Sequence, residues 1–112
     1  MTSAPEPPDA VIPGLSAANS QTILARLAQH PDLDAVVLYG SRALGRHRPG
    51  SDIDLCLQAP SMTLGQLLEL GAALDDLLLP WPIDLQLRHV IQHQPLLDHI
   101  DRVGLRIWCR PD

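Results

Sequence analysis

Two short segments of this chain alternate strictly between apolar and polar residues, and each carries an acid inside an Ile-Asp-Leu triplet. "SDIDLCLQ" (51–58) sets Ile53, Leu55 and Leu57 against Asp52, Asp54, Cys56 and Gln58; "WPIDLQLR" (81–88) sets Ile83, Leu85 and Leu87 against Asp84 and Gln86. A period of two is that of a strand with one buried face, and a register slip of one residue would turn the whole apolar set to water. Between them, "TLGQLLELGAALDDLLL" (63–79) places Leu64, Leu67, Leu70, Leu74, Leu77 and Leu78 on one wide stripe. Thr63 is suited to cap that helix and Pro80 to end it.

The flanking segments complete the pattern. "AVVLYG" (35–40) reads as a strand buried on both faces. A helix is expected before it, ending near His30, with Ile23, Leu24, Leu27 and Ala28 on its apolar side and Asn19 and Ser20 as capping candidates. "PLLDHIDRVG" (95–104) predicts a short last helix and "LRIWC" (105–109) a final strand. This order predicts an α/β (α+β) domain with a sheet of about four strands and helices packed on one face. The domain is expected over 14–112, after a flexible Pro-rich leader at 1–13.

Composition narrows the function. All eight basic residues are Arg against thirteen acids, a net charge of -5, which argues against sequence-independent nucleic-acid binding over a broad surface. The N-terminus has no export-signal pattern, and no apolar run approaches the roughly 18 residues of a membrane span. Cys56 and Cys109 read as small buried hydrophobes of a reduced, cytoplasmic protein. His89 and His93 are four apart, but no Glu follows His89 to make the zinc pattern.

The acids carry the chemistry. Asp52 and Asp54 share one strand face, and Asp84 opposes the apolar set of its own strand, so three carboxylates can converge on the sheet face that helices leave open. Like charges tolerate such crowding only with a cation or proton between them, and hard oxygen ligands suit Mg²⁺ or Mn²⁺. Two such ions roughly 3.5 to 4 Å apart can hold the attacking and leaving oxygens of an in-line phosphoryl displacement. Gly40 and Ser41, leaving the first strand, offer close backbone approach and a hydroxyl to a phosphate; Arg42, first of the three arginines with Arg46 and Arg48, can neutralise charge there.

Gly40-Ser41, ten residues, Asp52-Ile53-Asp54 and the later Asp84 together resemble the signature of the DNA polymerase β-type nucleotidyltransferase superfamily. "LYGSRALG" and "GSDIDL" are similar to its minimal nucleotidyltransferase (MNT) branch. The resemblance implies a mixed sheet, Asp52 and Asp54 as ligands of both metals, Asp84 as ligand of the catalytic metal and base, and Gly40, Ser41 and Arg42 on the nucleotide. It further implies ATP as substrate and, as partner, a HEPN-domain toxin that the MNT protein neutralises as antitoxin, by transferring AMP to a toxin tyrosine in a type VII-like pair. Two alternatives stay open: an antitoxin that only binds and masks its toxin, and a transferase acting on a small hydroxylated molecule. The second suits so small a chain poorly, because it needs a pocket of several hundred Å³.

Overall fold

The structure, a computed structural model, describes residues 12–111. Most of the expected leader lies outside these residues, but Ile12 is fully buried in the core, so packing begins earlier than composition suggested. Helix α1 spans Ala17–Ala28 and is capped by Ser16, whose hydroxyl accepts from the Asn19 amide. Neither Asn19 nor Ser20 is the cap. Ser20 is instead buried on the helix, and its hydroxyl accepts from the Ile12 amide at 2.9 Å, fixing how the chain enters.

Strand β1 (Ala35–Tyr39) runs into a single helical turn, α2 (Gly40–Ala43), and β2 follows at Ile53–Gln58. Helix α3 spans Leu64–Asp75 and opens on a reciprocal capping box between Thr63 and Gln66. It stops four residues short of the expected end at Leu79. The chain leaves the helix through Leu78, at φ 56° and largely exposed, before Pro80. Strand β3 (Ile83–Leu87), a 3-10 turn at Arg88–Val90, α4 (Gln94–Val103) and β4 (Leu105–Cys109) complete the chain.

The sheet order is β3-β2-β1-β4. β1 is antiparallel to both neighbours, whereas β2 and β3, joined through α3, are parallel. The sheet is therefore mixed. On one face Val36, Leu38, Ile53, Leu55, Leu57 and Leu87 pack with Ile23, Leu24 and Leu27 of α1 and Leu70 and Leu74 of α3.

The other face departs from the expectation that helices cover one side only. Val37, Tyr39 and Cys56 meet Ile100 of α4, with Leu96 and Val103 alongside. The apolar stripe of α4 needs a partner surface, and the apolar patch of Val37, Tyr39 and Cys56 on the acid-bearing face supplies it. Cys56 is buried there as expected; Cys109, on the edge strand β4, is exposed. Both are free thiols. Among the described residues no helix is long and apolar enough to cross a membrane.

Candidate active site

Strand register builds the site. Tyr39 pairs with Asp54 across the antiparallel β1–β2 ladder, and Asp54 pairs with Asp84 across the parallel β2–β3 ladder. Paired residues point to the same side of a sheet, so Tyr39, Asp54 and Asp84 form one row across three strands. The Tyr39 hydroxyl and the Gln86 side-chain amide both donate to Asp84 Oδ2, each at 3.4 Å. These long bonds engage one oxygen and leave Oδ1 for other partners. Gly40 follows at φ 77°, and a Cβ built on it would collide with Asp54 Oδ2. Glycine is required there twice, by the left-handed backbone and by the carboxylate against its Cα.

The row is electrostatically uncomfortable. Burial lifts the Asp54 carboxyl above the ordinary carboxylate range, and the charges of Asp84 and Asp52 lift it further; His99 and Arg42 oppose the shift. Burial, followed by Asp84 and Asp54, raises the Tyr39 hydroxyl well above the usual tyrosine range and keeps it a proton donor. Asp52 stands just ahead of β2 with an exposed side chain. The structure thus brings Asp54 and Asp84 side by side and leaves Asp52 flanking them. Among the described residues no three His, Cys, Asp or Glu side chains are grouped so that they could hold a metal ion by themselves. Asp54 and Asp84 offer hard carboxylate oxygens of the kind that Mg²⁺ or Mn²⁺ takes, and any such ion would draw its other ligands from waters and substrate phosphates.

The polymerase beta nucleotidyltransferase family matches residues 21–112, which include Gly40, Ser41 and all three acids. The chain belongs to that family. A crystal structure of a toxin-antitoxin with AMP-PNP is similar to this nucleotidyltransferase with a TM-score of 0.68 at 24% identity, over 80% of this chain and 73% of the other. A MntA-HepT toxin-antitoxin gives 0.57 at 21%, over 85% and 74%. A tri-AMPylated Shewanella oneidensis HEPN toxin in complex with MNT antitoxin gives 0.56 at 21%, over 83% and 71%. These likenesses establish the fold. No curated protein matches the chain.

The remaining expected site residues of the nucleotidyltransferase fall into place unevenly. Arg42, expected on the nucleotide, is 1% exposed and donates to three carbonyl oxygens: Pro13 at 2.6 Å, Ser51 at 2.7 Å and Asp52 at 3.3 Å. Its guanidinium fork therefore ties the entering chain, α2 and the Asp52 loop together, a use for five fixed donors that no charge pattern reveals. Ser41 is half-buried at the start of α2, and Arg46 and Arg48 are exposed on the loop beyond it. Trp81 pins that loop by donating from Nε1 to the Pro49 carbonyl at 3.0 Å.

The Gly40 amide donates to Nε2 of His99 at 3.2 Å, and the His99 ring stands edge-on to Tyr39. Sequence reading missed both residues. His99 is a single histidine on a helix, with no spacing to mark it, and Tyr39 reads as strand core. Two clefts lie away from the row, one lined by Arg26, His30, Gln66 and Leu70 and one by Leu67, Leu68, Ala72 and Ile83. Asp84 is exposed and Asp54 half-buried, so the acids stand on open surface.

Proposed function

We propose that the chain is a cytoplasmic nucleotidyltransferase antitoxin that transfers AMP from ATP to a tyrosine hydroxyl of a HEPN-domain toxin. The observation that carries this reading is the register pairing Asp54 with Asp84 beside the β1–α2 turn at Gly40. Family membership supports transfer from a nucleotide, and the likeness to toxin-antitoxin structures, one with AMP-PNP and one with an AMPylated HEPN toxin, supports the partner. The acceptor tyrosine oxygen forms a bond to the α-phosphorus of ATP as the bond from that phosphorus to the pyrophosphate oxygen breaks. Asp84 takes the phenolic proton through the oxygen that Tyr39 and Gln86 leave free.

Asp54 and Asp84, with Asp52 at the rim, are the residues that would hold Mg²⁺ or Mn²⁺. Such ions supply charge neutralisation on the phosphates and a more acidic acceptor hydroxyl. Gly40 and Ser41 face the polyphosphate. Because the row is open, the acceptor brings its own surface, which suits a protein better than a small molecule.

The test is to incubate the chain with radiolabelled ATP, Mg²⁺ and the protein encoded by the neighbouring gene, beside an Asp52→Ala/Asp54→Ala variant, and to weigh both proteins intact. A gain of one or more AMP on the partner, absent with the variant, supports the proposal. A stable complex that gains no mass selects neutralisation by masking instead. That second reading has one observation in its favour: Leu64, Leu68 and Leu78 are exposed large apolar residues on or just after α3, away from the acids.

A further inference from the structure

His99 is the one side chain of α4 that bonds to the β1–α2 corner among the described hydrogen bonds, and it meets the two residues there that touch the acids. Its Nε2 accepts from the Gly40 amide, and the Asp54 carboxylate fills the space that a Cβ on Gly40 would take. Its ring stands 6.1 Å from that of Tyr39 at 81°, and the Tyr39 hydroxyl donates to Asp84. We infer that His99 is a positioning residue, setting the Gly40 turn and the Tyr39 ring and, through them, the two carboxylates paired across β2 and β3. The inference rests on the metal-dependent nucleotidyltransferase reading.

The physical need is local. Gly40 lies one residue past the last β1–β2 pair, its left-handed backbone is one that glycine leaves as readily as it enters, and Tyr39 supplies no side-chain cap to α2. The amide there is held by an acceptor 59 residues away in sequence. With Nε2 accepting, the ring serves this corner as a hydrogen-bond acceptor. Removing the acceptor frees the turn, and Asp54 loses the wall that limits its rotation. An outer group that orients a metal ligand typically contributes about tenfold to a hundredfold in affinity.

The experiment compares the full chain with His99→Phe, which keeps a ring against Tyr39 but has no acceptor, and His99→Gln, which restores one. Mn²⁺ with AMP-PNP is titrated by water-proton relaxation, melting temperatures are recorded, and the Gly40 amide is followed in ¹⁵N spectra. The expected result for His99→Phe is an affinity weaker by about tenfold to a hundredfold at a nearly unchanged melting temperature, with a broadened Gly40 signal. His99→Gln recovers most of the affinity. Wild-type affinity in the Phe variant overturns the positioning role, and so does a Gln variant as weak as Phe. A wild-type chain that binds no Mn²⁺–AMP-PNP overturns instead the nucleotidyltransferase reading beneath it.

Discussion

The two faces of strand β2 share one backbone and differ in everything else. Ile53, Leu55 and Leu57 are completely buried beneath α1 and α3. On the opposite face Cys56 is sealed by α4, but Asp54, two residues away, is only half-covered and carries a carboxyl displaced from its ordinary range. Two helices close the first face and one helix closes half of the second. Stability is therefore drawn chiefly from one side of the sheet, and the paired acids stand where the other side's packing stops.

The sharpest way to break this comparison is Leu55→Ala. Removing a fully buried leucine should cost about 2–5 kcal/mol in urea or thermal unfolding, and a loss under about 1 kcal/mol would show that the α1/α3 face does not dominate. Arg42→Met should cost about 3 kcal/mol, because three carbonyls lose a charged donor at once. Arg42→Lys should recover little of it, since one ammonium cannot span the fork. Recovery by Lys would mean that charge, rather than the three-way tie, matters there.

Gly40→Ala should cost about 1–2 kcal/mol for the left-handed backbone alone and should displace Asp54, lowering Mn²⁺ affinity as well. Stability lost without a change in metal binding would separate the turn from the acids. The smallest effect on folding, and the opposite in sign, is expected of Asp54→Asn. A carboxyl whose folded pKa is raised destabilises the ionised native state, so its removal should raise the metal-free melting temperature at neutral pH. That gain should vanish below pH about 4, where the aspartate is protonated folded or unfolded. AMP transfer should be lost at every pH. A lower melting temperature at neutral pH would make Asp54 a structural residue.

Most of the architecture is legible in local pattern. The two alternating segments and the leucine stripe lead to β2, β3 and α3, and the Gly-Ser, Asp-x-Asp and later Asp spacing leads to the family. What local pattern misses is long-range. The α1 cap is Ser16 because Ser20 is taken by the Ile12 amide, a contact that hydroxyl placement alone does not disclose. α2 is a single turn, too short for any periodicity. Arg42 looks like a surface cation beside two others, and only the chain's closure around it makes it an interior bracket. His99 and Gly40 meet across a separation of 59 residues. The second helical layer was the most readable of the missed features, since Val37 and Cys56 already placed apolar residues on the acid face.

The parallel pairing of β2 with β3 has a further consequence for a protein of this size. Asp54 and Asp84 lie on two strands that are joined through α3, so neither strand alone holds both acids. Contacts between residues so distant in sequence form against loop-closure entropy and are lost together when the fold opens. The paired acids thus depend on the intact sheet: a copy in which β2 and β3 have separated keeps both aspartates but no longer presents them side by side.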